Sequence, residues 1–161
     1  MGFIVYTDGA SSPKQEHKVG GWAYVLMHEA VGGEIEDSGY EVDTTNNRME
    51  LRSIIEALEF VRQLGTPKRG EGKVDVTIYS DSQYCVKGCT EWLKGWKRTN
   101  WKNNSVKNVD MWKKLDTLVS DDTLNVKFEW VRGHNGDTHN ERVDKLCVEA
   151  KEKGIEMVNT E

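Results

Sequence analysis

Apolar positions along the chain change their spacing several times, and each change marks an element. Phe3 to Thr7 is a short β-rich run, Gly20 to Met27 (GGWAYVLM) is a second, and the more polar stretch from Gly33 to Val42 is a third. Turn residues separate the three, which favours an antiparallel meander. The period then shifts. Leu51, Ile54, Ile55, Leu58, Val61 and Leu64 form one apolar stripe at helical spacing, predicting a helix from about Asn47 to Leu64 that Gly65 and Pro67 stop. Val74 to Ser80 (VDVTIYS) reads as a buried strand. Short helical pieces are expected after Asp81, near Thr90–Trp96 and over Val106–Val119. A strand follows at Val126–Val131, and Val143, Leu146, Cys147 and Ala150 mark a final helix. The order βββαβαααβα predicts an α/β fold, a mixed sheet with helices packed on it.

A length of 161 residues suits one domain, and 37% hydrophobic with 30% charged residues is a soluble globular composition. No apolar run approaches the roughly 18–20 residues of a membrane helix, so no membrane partner is expected. The first residues, MGFIVYTD, lack a basic stretch and a cleavage site, which predicts no secretory leader. Three cysteines, Cys85, Cys89 and Cys147, have no disulfide-framework spacing; they read as small buried hydrophobes in a reducing, cytoplasmic compartment. A monomer is the expectation for so small a body.

A net charge of −5 argues against a polyanionic partner until its distribution is considered. Residues 87–114 hold eight Lys/Arg and two acids, so that segment is +6 and the remainder is −11. One basic surface on an acidic body suits a nucleic acid.

Four acids occupy suggestive positions. Asp8 ends the first strand, Glu50 lies in the first turn of the long helix, Asp81 ends the strand VTIYS, and Asp144 sits beside Val143 on the last helix. Two strand ends and two helix faces can converge on one sheet edge. Each residue also has an ordinary reading. Asp8 suits a turn, Asn47-x-x-Glu50 a capping box, Asp81 a helix cap and Asp144 a helix surface. Converging carboxylates repel, and a pair of Mg²⁺ ions relieves that repulsion while clamping a phosphate for in-line displacement. Such a centre points to phosphodiester hydrolysis.

The strings around these acids are TDGA at 7–10, TTNNRMEL at 44–51, YSDSQY at 79–84 and WVRGHNGDTHNERVDKL at 130–146. Together, in this order through nearly the whole chain, they resemble the type 1 ribonuclease H family. GWKRTNWKNNSVKNVDMW at 95–112 resembles the basic protrusion of its bacterial form. The resemblance implies a single ribonuclease H-like domain over residues 1–161, with a five-stranded mixed sheet and a tryptophan-rich protrusion at about 87–114. It implies Asp8, Glu50, Asp81 and Asp144 as ligands of two Mg²⁺ ions, with Mn²⁺ a possible substitute. It also implies His134 as a mobile histidine assisting proton transfer or product release. The expected activity is hydrolysis of the RNA strand of an RNA–DNA hybrid, leaving 3′-hydroxyl and 5′-phosphate ends. The alternatives are a catalytically silent hybrid-binding module and a DNA strand-transfer or nicking enzyme on the same fold.

Side-chain amides suit the 2′-hydroxyl, which both donates and accepts, so Asn46, Asn47 and Gln83 are candidates for the minor groove. Thr45 and Asn46 resemble the family's pocket for a DNA-strand phosphate. Trp92 is expected to meet the DNA strand and Trp112 to be core. Lys97, Arg98, Lys102 and Lys107 are expected on phosphates, setting affinity without reading sequence. The stretch from Ser11 to Lys18 departs from the family's Gly- and Asn-containing turn, so that turn's substrate contacts do not carry over.

Overall fold

The computed structural model of the chain describes residues 2–12, 18–28, 33–64, 72–133 and 136–159. Three strands come first: β1 (Gly2–Ser11), β2 (Gly20–His28) and β3 (Glu34–Glu41). Helix α1 (Asn46–Leu64) leads to β4 (Val74–Ser80). Next come α2 (Gln83–Lys87), a π-helical turn (Gly88–Trp92), α3 (Leu93–Arg98), the single turn α4 (Asn100–Asn104) and α5 (Val109–Val119). β5 (Leu124–Trp130) and α6 (Thr138–Asn159) complete the order. The five strands form one sheet, β3-β2-β1-β4-β5. β1 pairs antiparallel with β2, and β2 with β3; β1–β4 and β4–β5 are parallel, and helices precede β4 and β5 in the chain.

Side-chain alternation splits the core into two layers. Phe3 and Val5 of β1 face the larger cluster, with Trp22, Tyr24 and Leu26 of β2, the stripe of α1, and Leu115 and Leu118 of α5. Tyr6 and Ala10 point the other way, to a smaller cluster of Ala23, Val25, Val143 and Cys147 beneath α6. Asp8 lies between Tyr6 and Ala10 in this alternation and therefore falls on the α6 face.

Two local readings change. The cap of α1 is Thr45, whose Oγ1 accepts from the Arg48 N–H at 3.2 Å. Asn47 is then inside the first turn, which holds no acid, so Asn47-x-x-Glu50 is not a capping box. The helical pieces after Asp81 and around Thr90–Trp96 join through the π-helical turn. The piece over 106–119 starts later, at Val109, because Asn108 takes a left-handed backbone at φ 60°. The whole of α4 is left-handed, with φ between 50° and 62° from Asn100 to Asn104.

The protrusion is pinned to the body by aromatic packing. Trp112 is fully buried, as expected, and its Nε1 donates to Tyr84 Oη at 2.9 Å. Its ring meets Tyr84 and Trp96 edge-on, and Trp96 in turn contacts Trp92 and Trp101. Arg48 on α1 adds a fork to Asp110 at 3.0 and 2.8 Å.

Candidate active site

The site forms where two neighbouring parallel strands end. The β1–β4 register pairs Thr7 with Ser80, so the next residues, Asp8 and Asp81, emerge side by side. The acids do not gather on a sheet edge. β1 and β4 are inner strands, and the crevice outside their carboxyl ends is where a parallel pair leaves room for a ligand.

Two glycines let the helices deliver the other acids. A Cβ on Gly9 would lie 2.3 Å from the Met49 carbonyl carbon and 2.4 Å from the Glu50 nitrogen, so only glycine lets α1 rest its backbone on β1 there. A Cβ on Gly21 would lie 2.2 Å from the Cys147 oxygen, and its absence seats α6 on β2. As a result, carboxylate oxygens of Asp8, Glu50 and Asp81 lie within 4.8 Å of one another, as do ligand atoms of Asp8, Asp144 and Cys147. Asp8 belongs to both groups. Asp8 and Glu50 are only 3% and 5% exposed, while Asp81 and Asp144 are half-buried and open the site to water.

The pocket carries too much negative charge for its burial. The Gly9 N–H donates to Asp8 Oδ1 at 2.9 Å, but Asp8 Oδ2 and Glu50 Oε2 accept from no donor among the described residues. Burial, followed by the charge of Asp81, pushes the Asp8 carboxyl up from 3.8 to about 8. Burial, followed by the charges of Asp8 and Asp81, pushes Glu50 well above the carboxylate range. Two carboxylates this close can be joined only by a shared proton or by a cation. An all-oxygen, anionic, partly open donor set fits a hard divalent cation.

The ordinary readings of these acids fare differently. Ser82, not Asp81, caps α2, with its Oγ accepting from the Cys85 N–H at 3.2 Å. Asp144 faces Asp8 rather than lying on an outer helix surface. His134 lies outside the described residues. Gly133 just before it passes directly over Asp81, since a Cβ there would sit 3.1 Å from Asp81 Oδ2.

Of the predicted substrate residues, Asn46 and Asn47 begin the helix that carries Glu50, and Gln83 begins the helix that follows Asp81. Thr45 and Asn46 line a cavity of about 200 Å³ with Ser11, Lys18 and Thr44. Thr44 is buried, and its hydroxyl has no partner among the described residues. Asn47 is half-buried in the first turn of α1. Gln83, at the start of α2, lines a groove of about 310 Å³ with Val86, Lys87, Thr90, Glu91 and Trp130. Trp92 is 37% exposed. Lys97 and Arg98 line a surface cavity of about 490 Å³ with Lys94, and Lys102 and Lys107 are exposed beyond it. Lys97 also reaches Asp116 at 3.4 Å, a surface pair that a phosphate can replace. Lys113 and Lys114 turn away, to Asn104 and Glu59.

Three features were not singled out in the sequence. Trp130 is 46% exposed and its Nε1 donates to the Asp81 carbonyl at 3.2 Å, tying β5 to the turn that carries an acid. Ser11 and Lys18 complete the Thr45–Asn46 cavity. Cys147, read as a plain hydrophobe, stands among the carboxylates. Its i, i+3 spacing from Asp144 was the available signal.

Comparison with known proteins gives the family and the fold. The family model described as RNase H matches residues 2–152. The ribonuclease H of Polaromonas naphthalenivorans (strain CJ2) is 44% identical over 155 residues, covering 94% of this chain and 88% of the relative. The crystal structure of LC9-RNase H1, a type 1 RNase H with the type 2 active-site motif, superposes with a TM-score of 0.73 at 28% identity, over 94% of this chain and 72% of the other. LC11-RNase H1, crystallised in complex with an RNA/DNA hybrid, shares the fold with a TM-score of 0.72 at 23% identity, over 95% and 99% of the two chains.

Proposed function

The chain belongs to the ribonuclease H family, and on that premise we infer that it is an endoribonuclease hydrolysing the RNA strand of RNA–DNA hybrids. The observation that carries this reading is the carboxylate cluster of Asp8, Glu50 and Asp81, extended by Asp144, in which Asp8 Oδ2 and Glu50 Oε2 are buried with no donor among the described residues. Asp8, Glu50, Asp81 and Asp144 would hold two Mg²⁺ ions, with Mn²⁺ a substitute. When bound, such ions neutralise charge on the scissile phosphate and make a water more acidic.

The chain's own residues do the rest. The four carboxylates keep the pocket anionic and selective for hard cations. Water attacks the RNA phosphodiester in line, and the 3′ oxygen leaves, giving 3′-hydroxyl and 5′-phosphate ends. His134 is suited to carry a proton in this exchange or to assist product release, since an imidazole titrates near neutral pH. Asn46, Asn47 and Gln83 flank the acids from two helix starts, where their amides can read 2′-hydroxyls of the RNA strand. The cavity of Thr45 and Asn46, with Lys18 at its rim, suits a phosphate of the DNA strand. Trp92, Lys97, Arg98, Lys102 and Lys107 would grip that strand further along the protrusion. Contacts of this kind read backbone and sugar, so sequence preference is slight. No helix among the described residues is long and apolar enough to cross a membrane, and the three cysteines are free thiols. The free thiols support a reducing, cytoplasmic setting, in which we take the protein to act as a monomer.

The test uses labelled RNA–DNA hybrid, duplex DNA and duplex RNA, each with Mg²⁺ and then with a chelator. Cleavage confined to the RNA of the hybrid and abolished by chelation is expected. Tight hybrid binding without cleavage would make the chain a silent binding module, and cleavage of duplex DNA would make it a nicking enzyme.

A further inference from the structure

Among the described residues, Cys147 is the soft donor that groups with carboxylates of the site. It lies one turn after Asp144 on α6 and is fully buried, and its Sγ donates to the Asp144 carbonyl at 3.1 Å. Its sulfur and oxygens of Asp8 and Asp144 lie within 4.8 Å of one another. Independently, Asp8 is 97% buried, and its Oδ2 accepts from no donor among the described residues. A buried carboxyl oxygen without a donor, a half-exposed carboxylate and a thiol thus converge on one point.

We propose that Asp8, Asp144 and Cys147 form a thiophilic metal site for Zn²⁺ or Cd²⁺, and that filling it blocks hydrolysis because Asp8 serves both this site and the hydrolytic one. Zinc takes a thiolate at ~2.3 Å and carboxylate oxygens at ~2.0–2.2 Å in tetrahedral array, leaving a fourth position for water. Those lengths set donors ~3.6 Å apart. The present spacing therefore closes by ~1 Å at most, a movement open to the half-exposed Asp144. Thiolate softness separates the metals: a hard ion keeps to the oxygens, while Zn²⁺ or Cd²⁺ gains the sulfur. On binding, the S–H bond breaks, an S–metal bond forms, and the proton passes to bulk water; nothing is oxidised or reduced. The inhibitory half of this proposal rests on the hydrolytic reading of Asp8 and Asp144, whereas the binding half rests on the three-donor geometry.

Cd²⁺ titrated into the whole protein without substrate reads the site directly, through the ultraviolet sulfur-to-cadmium charge-transfer band. A band saturating at one ion per chain is expected in the wild type. It disappears in Cys147→Ala, which keeps Cys85 and Cys89, and the Cd²⁺ affinity falls at least ~10-fold in Asp144→Asn. In parallel, Cd²⁺ inhibits hybrid cleavage in Mg²⁺ at concentrations at least ~10-fold lower for wild type than for Cys147→Ala or Cys147→Ser, each scaled to its own uninhibited rate. Circular dichroism confirms that each variant is folded, and Cys147→Ser keeps the side-chain size should Ala perturb α6. Absence of a band in wild type, or an undiminished band in Cys147→Ala, overturns the proposal. Equal inhibition of wild type and both variants overturns its inhibitory half. A protein that shows the band but cleaves nothing in Mg²⁺ supports the metal site and overturns the proposed activity instead.

Discussion

Asp8→Asn tests the electrostatics of the site through stability. In the metal-free protein the Asp8 carboxyl is pushed from 3.8 to about 8, chiefly by burial and then by Asp81. Between those two values the folded chain holds a proton that the unfolded chain has released. The unfolded state binds fewer protons, so stability falls as pH rises through this window, by about 1.4 kcal/mol per pH unit. From pH 3.8 to pH 7 that amounts to roughly 4 kcal/mol for this one group. The rise at Glu50 acts in the same direction. Asn has the shape of Asp without its titration, and its amide can donate to Glu50. Replacing Asp8 recovers part of the loss, about 2 kcal/mol at pH 7 once the cost of burying an amide is counted. For a chain of this size that is a Tm higher by about 4–8 °C. Urea unfolding in EDTA at several pH values from 5 to 8.5 measures both quantities. The wild type is expected to lose stability steadily across the range, and the variant to lose less. Adding Mg²⁺ is expected to restore wild-type stability and to leave the variant nearly unchanged, while the variant's hybrid cleavage is almost abolished. A wild type whose stability is flat or rising with pH in EDTA, or a variant less stable than wild type at pH 8, would refute the account of the buried acids.

Two further substitutions probe what holds the site in place. Gly9→Ala puts a Cβ 2.3 Å from the backbone of α1, so it is expected to cost about 2–3 kcal/mol in urea unfolding and to lower kcat by moving Glu50 away from Asp8; a variant of wild-type stability and activity would show that this contact does not set the site. Lys102 sits at φ 50°, ψ 48°, so Lys102→Gly removes left-handed strain and is expected to raise stability by about 1 kcal/mol. The same change removes a cation from the protrusion, so hybrid affinity is expected to fall and its dependence on salt to flatten. A variant that binds the hybrid as tightly and with the same salt slope would exclude Lys102 from the phosphate contacts.

Much of this protein could be read from its residue order because the relevant signals are local. The apolar stripe from Leu51 to Leu64 requires a helix on a core wherever it is placed, and VDVTIYS requires a buried strand. The four acids were visible because each sits in a recognisable string. Local signals failed where backbone conformation depends on what packs around it. Asn100 to Asn104 carries no glycine, yet it adopts a left-handed turn within the protrusion, where its own Trp101 packs against Trp96. The cap of α1 went to Thr45 instead of Asn47 by a shift of two residues, too fine for periodicity to resolve. Above all, the residue order could name the acids but not seat them. The β1–β4 register and the bare Cα atoms of Gly9 and Gly21 bring Asp8, Glu50, Asp81, Asp144 and Cys147 together, from positions as far as 139 residues apart. Proximity between distant residues is a property of the packed chain: it follows from which surfaces come within van der Waals reach, and no spacing along the sequence contains it.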